Sequence, residues 1–126
     1  MLVYVESPYR HEDPQIQALY LKYAKACVKD CLCRNENPIL SHLYYTQFLD
    51  DKIEGDRALG IELGFQLAKQ CAMTAVYSDL GISEGMQGGI TNAARNNRVF
   101  VFRGLPELFI EDLISESPKF ESLLIT

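Results

Sequence analysis

The chain has 126 residues, 48% of them hydrophobic and 23% charged, which suits one globular domain with a single core and leaves no room for a second. A net charge of −5 and a pI near 5.0 exclude the clustered basic face that displaces counterions from a nucleic-acid backbone, so a small ligand or a protein is the expected partner. The opening MLVYVESPYR turns polar after a few apolar residues, and the expectation is a cytoplasmic protein with neither a secretory segment nor a membrane span.

Residues 2–7, LVYVES, are a β-branched run that predicts a first strand ending at SPYR. Pro14 stands where the first helical turn accepts proline, because its N–H would have no intrahelical partner. From Pro14 to about Cys33 apolar residues recur at helical spacing, and RNENP ends that helix. PILSH predicts a short second strand, LYYTQFLDD one or two helical turns, and KIEGD a loop or lid with Asp56 as N-cap. RALGIELGFQLAKQC is apolar nearly all round, which predicts a helix buried on several sides. AMTAVYS is the third strand, SEGMQGGITNAARNN a helix opened by Ser83, and RVFVF the fourth strand. Residues 105–126 supply a C-terminal helix and a docked tail.

The cysteines at 27, 31, 33 and 71 lack the paired spacing of a structural zinc site, and only His11 and His42 are available to complete one. Cys27 and Cys31 extend the stripe of Ile16, Leu19, Tyr20 and Tyr23, so they read as buried reduced thiols. No metal or other cofactor is expected.

Strands separated by helices predict right-handed crossovers and a single-domain α/β fold, a flavodoxin- or Rossmann-like parallel sheet of four to five strands flanked by helices. In such folds ligands bind beyond the carboxyl ends of the strands, where the strand order reverses. That rule gathers residues 7–10, Ser41 with His42, and residues 77–86 at one rim. Ser7, Pro8, Tyr9, Arg10, His42, Asp79, Ser83, Gly85, Met86, Gly88 and Gly89 are the candidate ligand-binding residues, with Glu84 and Glu62 as candidate catalytic carboxylates.

Each has a bland alternative. Arg10 is either a solvated charge or a planar fork for a phosphate or carboxylate. His42 is either a hydrogen-bonded structural histidine or a ligand contact. Ser83 suits an N-cap, which leaves the next N–H groups free for an anion. Glu84 either complements the positive helix end or acts on a ligand. Glu62 shares a helical stripe with Leu59, Leu63 and Gln66, where a carboxylate is costly unless it is paired or faces a cleft. Gly85, Gly88 and Gly89 weaken a helix by roughly 1 kcal/mol each relative to alanine. They either open a pocket or allow close packing of helix on sheet.

The strand-end SPYR, the SH after the second strand, the ELG helix leading into a strand, and the turn GISEGM before a helix and a final strand resemble the nucleoside 2-deoxyribosyltransferase-like superfamily. The nearest likeness is to its small members, often phage-encoded, and it runs over residues 1–104. The resemblance implies an N-glycosidase or deoxyribosyl transferase acting on a nucleoside or nucleotide, with a helix-borne glutamate as nucleophile and an aspartate from the preceding helix in support. It also implies a homodimer or larger assembly, with the aromatic HLYYTQF segment as a contact. The implied nucleophile falls at Gly88 or Gly89, the supporting aspartate near Gly64, and the acid that opens the third strand at Ala72. Glu84 and Glu62 then form a displaced pair, or the protein is a non-catalytic module that sequesters or senses a nucleotide-derived signal.

Overall fold

Residues 1–125 are described by a computed structural model. Among them run β1 (Leu2–Glu6), α1 (Pro14–Cys33), β2 (Asn37–Ile39), α2 (Ser41–Tyr44), α3 (Glu54–Ala68), β3 (Met73–Tyr77), α4 (Glu84–Arg95), β4 (Phe100–Arg103) and α5 (Glu107–Glu116). Short 3-10 segments follow α2 (Tyr45–Gln47) and α5 (Pro118–Leu123). The four strands form one all-parallel sheet in the order β2-β1-β3-β4, a Rossmann- or flavodoxin-like α/β arrangement. The order reverses between β1 and β3. None of the described helices is long and apolar enough to cross a membrane.

Alternation along the strands builds two cores. Val3 and Val5 of β1, with Ala75 and Tyr77 of β3, pack against Leu19, Tyr23, Ala24, Cys27 and Cys31 of α1, and Leu113 and Phe120 close that side. On the opposite face Tyr4 packs with Ala68 and Cys71, and Val76 packs with Met86 and Ile90. Full burial of one such aliphatic side chain is worth about 1.5–3 kcal/mol. The ends of the helices follow the expected chemistry: Asp13 caps α1 by accepting from the Gln15 N–H, and Ser83 caps α4 by accepting from the Met86 N–H.

Three local expectations change. Ser41 and His42 belong to α2, because β2 ends at Ile39. Asp56 is not the N-cap of α3; Ile53 holds that position, and Asp56 accepts the Asp50 N–H at 2.8 Å. Nor is α3 buried on several sides: only Gly64 and Ala68 are buried, while Ile53, Leu59 and Ile61 are about half exposed (54%, 47% and 49%). A Cβ on residue 64 would lie 3.1 Å from Ser41 Oγ and 3.2 Å from the Tyr4 hydroxyl. The helix therefore approaches the sheet through its smallest residues, with Leu67 packed partly on the Tyr4 cluster and Leu59 and Ile61 left pointing outward.

Candidate functional site

The switch in strand order sets the carboxyl ends of β1 and β3 side by side, with Glu6 of β1 paired in register with Val76. β1 runs directly into Ser7, Pro8 and Tyr9. Because successive side chains point to opposite faces, Ser7 turns toward α1 and α2 while Glu6 turns toward α3 and α4. The two faces of this strand end carry different chemistry.

On the Ser7 side, Tyr9 stacks on His42 with ring centroids 4.7 Å apart, and His42 Nε2 lies 3.4 Å from Ser7 Oγ. An open cleft of about 310 Å³ adjoins them, lined by Tyr9, His42, Thr46, Pro14, Gln17 and Leu21 together with Ala18. His42 Nδ1 is buried without a hydrogen-bond partner. Burial pushes the imidazole down to about 4, so the ring is neutral at physiological pH. Arg10, half exposed, leans on Asp51 at 3.5 Å. The rim thus joins Ser7, Tyr9 and His42 as one group, with Arg10 tethered to the segment before α3.

The remaining candidates stand elsewhere. Asp79 is a structural hub: its carboxylate accepts from the Tyr23 hydroxyl at 2.7 Å and the Leu105 N–H at 2.9 Å, and its own N–H donates back to the Tyr23 oxygen at 3.0 Å. Both bonds fall on Oδ2 and hold α1 and the segment after β4 together, a structural role for this carboxylate. Met86 is 1% exposed and belongs to the core beneath α4, so its assignment as a ligand contact is corrected. Glu84 is exposed in the first turn of α4. Glu62 is exposed on α3 and accepts from Gln66 Nε2 at 3.3 Å, an outward position that spares it the cost of burial.

The glycines separate into two kinds. A Cβ on Gly85 or Gly88 would meet nothing within 4 Å. A Cβ on Gly89 would lie within 3.0 Å of Glu6 Oε1, and closer still to Oε2. Gly89 is therefore packed against a side-chain carboxyl group rather than against the sheet backbone or an empty pocket.

Glu6 is the residue that sequence reasoning missed. It is partly buried, and loss of water pushes its carboxyl up to about 8, with Arg98 pulling the other way. No protein hydrogen bond contributes to that balance. Arg98 is itself committed elsewhere, donating to the Ala68 carbonyl at 3.2 Å and to Asn92 Oδ1. The signal was present in LVYVE: a carboxylate in phase with Tyr4 at the end of an apolar strand, where charge is costly.

No curated protein matches this sequence. The family model described as "Domain of unknown function (DUF7768)" matches residues 1–103, from β1 through the end of β4, with Ser7, Tyr9, His42, Glu6 and Gly89 all inside the matched region. The chain belongs to that DUF7768 family.

Proposed function

We propose that this protein binds a nucleoside or nucleotide at the carboxyl edge of its sheet, around the end of β1. The observation that carries the reading is the Tyr9–His42 stack beside Ser7 at a topological switch point. Stacked rings offer a planar heterocycle a π-face, while Gln17 and Thr46 supply polar groups that orient a ligand. The volume of about 310 Å³ is at the small end of ligand clefts, in keeping with a base or nucleoside. Arg10, next to Tyr9 in sequence, provides a donor for a phosphate. The likeness to deoxyribosyltransferase-like proteins supports the same ligand class.

A binding module that sequesters or senses a nucleotide-derived signal is the second reading. The exposed positions of Glu62 and Glu84 favour it, because neither is desolvated for glycosidic chemistry. The outward apolar side chains of α3, with Tyr44 and Phe48 (60% and 69% exposed), support a homodimer or larger assembly. The buried thiols of Cys27, Cys31 and Cys71 suit a reducing, cytoplasmic setting.

A thermal-shift screen against nucleosides, nucleotides and cyclic nucleotides tests the ligand class. A ligand at 100 times its dissociation constant adds about 2.7 kcal/mol of stability. Arg10→Ala is expected to weaken a phosphorylated hit by about 1.5–3 kcal/mol while leaving a dephosphorylated one unchanged. No shift with any member of the panel rules the reading out.

A further inference from the structure

We propose that Gln17 is the specificity-determining residue of the cleft: its Nε2 donates to a carbonyl oxygen or ring nitrogen of an uncharged planar base, and the base alone carries recognition. The inference rests on the nucleoside or nucleotide reading and names the part of the ligand that the cleft takes. The lining comes from two sides, the α1 stripe of Pro14, Gln17 and Leu21 and, facing it in composition, Tyr9 with His42 and Thr46. Among the described residues no Asp, Glu, Lys or Arg lines this cleft. Apolar and aromatic surface with a few polar groups and no full charge suits a flat neutral ring, and it leaves any ionic group of the ligand to Arg10 outside.

Gln17 is set in place by the turn before α1. The His11 N–H donates to its Oε1 at 3.2 Å, and because a backbone N–H cannot accept, the oxygen end of the carboxamide is the anchored one and Nε2 is the free one. His11 is held in turn: its Nδ1 accepts the Asp13 N–H at 2.9 Å, and its ring packs edge-on to Tyr20. Asp13 caps α1, and its carbonyl accepts the Gln17 N–H at 3.0 Å. Nε2 has no partner among the described residues. A partly buried amide anchored at one end meets an acceptor with little further ordering. Thr46 gives its hydroxyl proton to the His42 carbonyl at 2.7 Å and so presents an acceptor, which leaves Gln17 as the donor that the fold orients.

An acceptor on the edge of the ring completes the Nε2 hydrogen bond, whereas a ring without one strips water from that donor and leaves it unpaired. Uracil and hypoxanthine carry carbonyl oxygens and adenine carries ring nitrogens. Indole has the same flat shape but offers only an N–H donor. Neither sugar nor phosphate takes part in this contact, so a free base is a ligand in its own right. A phosphate adds affinity through Arg10 without changing which ring is preferred.

Calorimetric titration of the full chain with uracil, hypoxanthine, adenine, their nucleosides and indole is the test. At least one free base should bind within about tenfold of its nucleoside, and indole about tenfold or more weakly than that base. Gln17→Glu keeps an oxygen for the His11 N–H but turns the free end from donor to acceptor, and it should lose about tenfold or more in affinity for the base. Gln17→Met, of similar length but without a donor, should weaken the base and spare indole; a loosened turn would weaken both alike, so this ratio distinguishes recognition from a merely structural role. Gln15→Glu places the same charge at an exposed position of α1 outside the cleft and should leave affinity unchanged. Base affinity that survives Gln17→Glu, or that falls in step with indole in Gln17→Met, overturns the Gln17 assignment and leaves the nucleoside reading standing. Nucleosides that bind while every free base fails overturn recognition by the base alone. Failure of every nucleoside and base to bind removes the ligand reading and this proposal together.

Discussion

Gly89 and the carboxyl group of Glu6 occupy complementary space: any Cβ on residue 89 would lie within 3.0 Å of Glu6 Oε1 and nearer still to Oε2. The two residues are 83 positions apart in sequence and meet because β1 and α4 are brought together at the centre of the fold. Gly85 and Gly88, on the same helix, face open space.

Alanine substitutions should therefore differ in sign along one helix. Gly89→Ala must push aside the end of the Glu6 side chain, which is free to swing, and is expected to cost up to about 1 kcal/mol. Gly85→Ala and Gly88→Ala are expected to be neutral or to stabilise by up to about 1 kcal/mol, through helix propensity. In a double-mutant cycle, Glu6→Ala should recover most of the Gly89→Ala loss, because it empties the space that the new methyl enters. Denaturant melts at pH 6.5 read all of these. Equal midpoints for Gly88→Ala and Gly89→Ala would remove the packing relationship.

The elevated Glu6 pKa makes stability depend on pH in a defined direction. The folded state keeps the proton up to about pH 8, whereas the unfolded chain releases it near the ordinary value of 4.5. Between those limits the folded state binds more protons, so stability falls as pH rises. Glu6→Gln, neutral at every pH, should flatten that decline and raise stability at pH 9 by roughly 2–4 kcal/mol relative to wild type. Urea melts from pH 5 to 9 provide the comparison, and parallel curves for the two proteins would contradict the buried neutral acid.

His42 works in the opposite sense. Its folded value of about 4 lies below the ordinary 6.5, so the unfolded chain takes up a proton first as the solution is acidified. Its contribution is complete above about pH 6.5 and is lost as pH falls toward 4. His42→Phe, which keeps a ring to stack on Tyr9, should reduce the acid-side slope by up to about 2–3 kcal/mol over that window. An unchanged slope in acid melts would place the imidazole in contact with water.

The third electrostatic prediction concerns a pair on the α1 face of the sheet. Arg103 donates to both Glu36 oxygens, at 2.7 and 2.6 Å, with side chains only 9% and 12% exposed. The fork holds the Glu36 carboxyl below its ordinary value and ties the end of β4 to the segment before β2. Arg103→Met should cost about 2–4 kcal/mol, because it leaves a largely buried carboxylate without its partner. Adding Glu36→Gln should recover part of the loss. Additive losses in the double mutant would show the two groups to be independent.

The alternation of apolar runs with helical stripes, the punctuation at SPYR and RNENP, Pro14 in a first turn, and Ser83 as a cap were all legible in the sequence, because local chain chemistry sets periodicity and helix ends. These features sufficed for a parallel α/β sheet. The sequence also gathered Ser7, Tyr9 and His42 at the carboxyl ends of the strands, and in the folded chain these three do converge there. Which partner each polar group takes was decided only by tertiary structure. Asp79 looked like a rim residue, but Tyr23 and Leu105, from two other parts of the chain, both bond to its Oδ2. The RALGIELGF helix looked buried because its composition is apolar, but Gly64 and Ala68 are the residues that fit against Tyr4 and Ser41, which turns Leu59 and Ile61 outward. Glu6 passed as one more residue of an apolar strand. Its protonation and its fit against Gly89 depend on water excluded by elements far away in sequence, and desolvation is a property of the assembled fold rather than of any local run of residues.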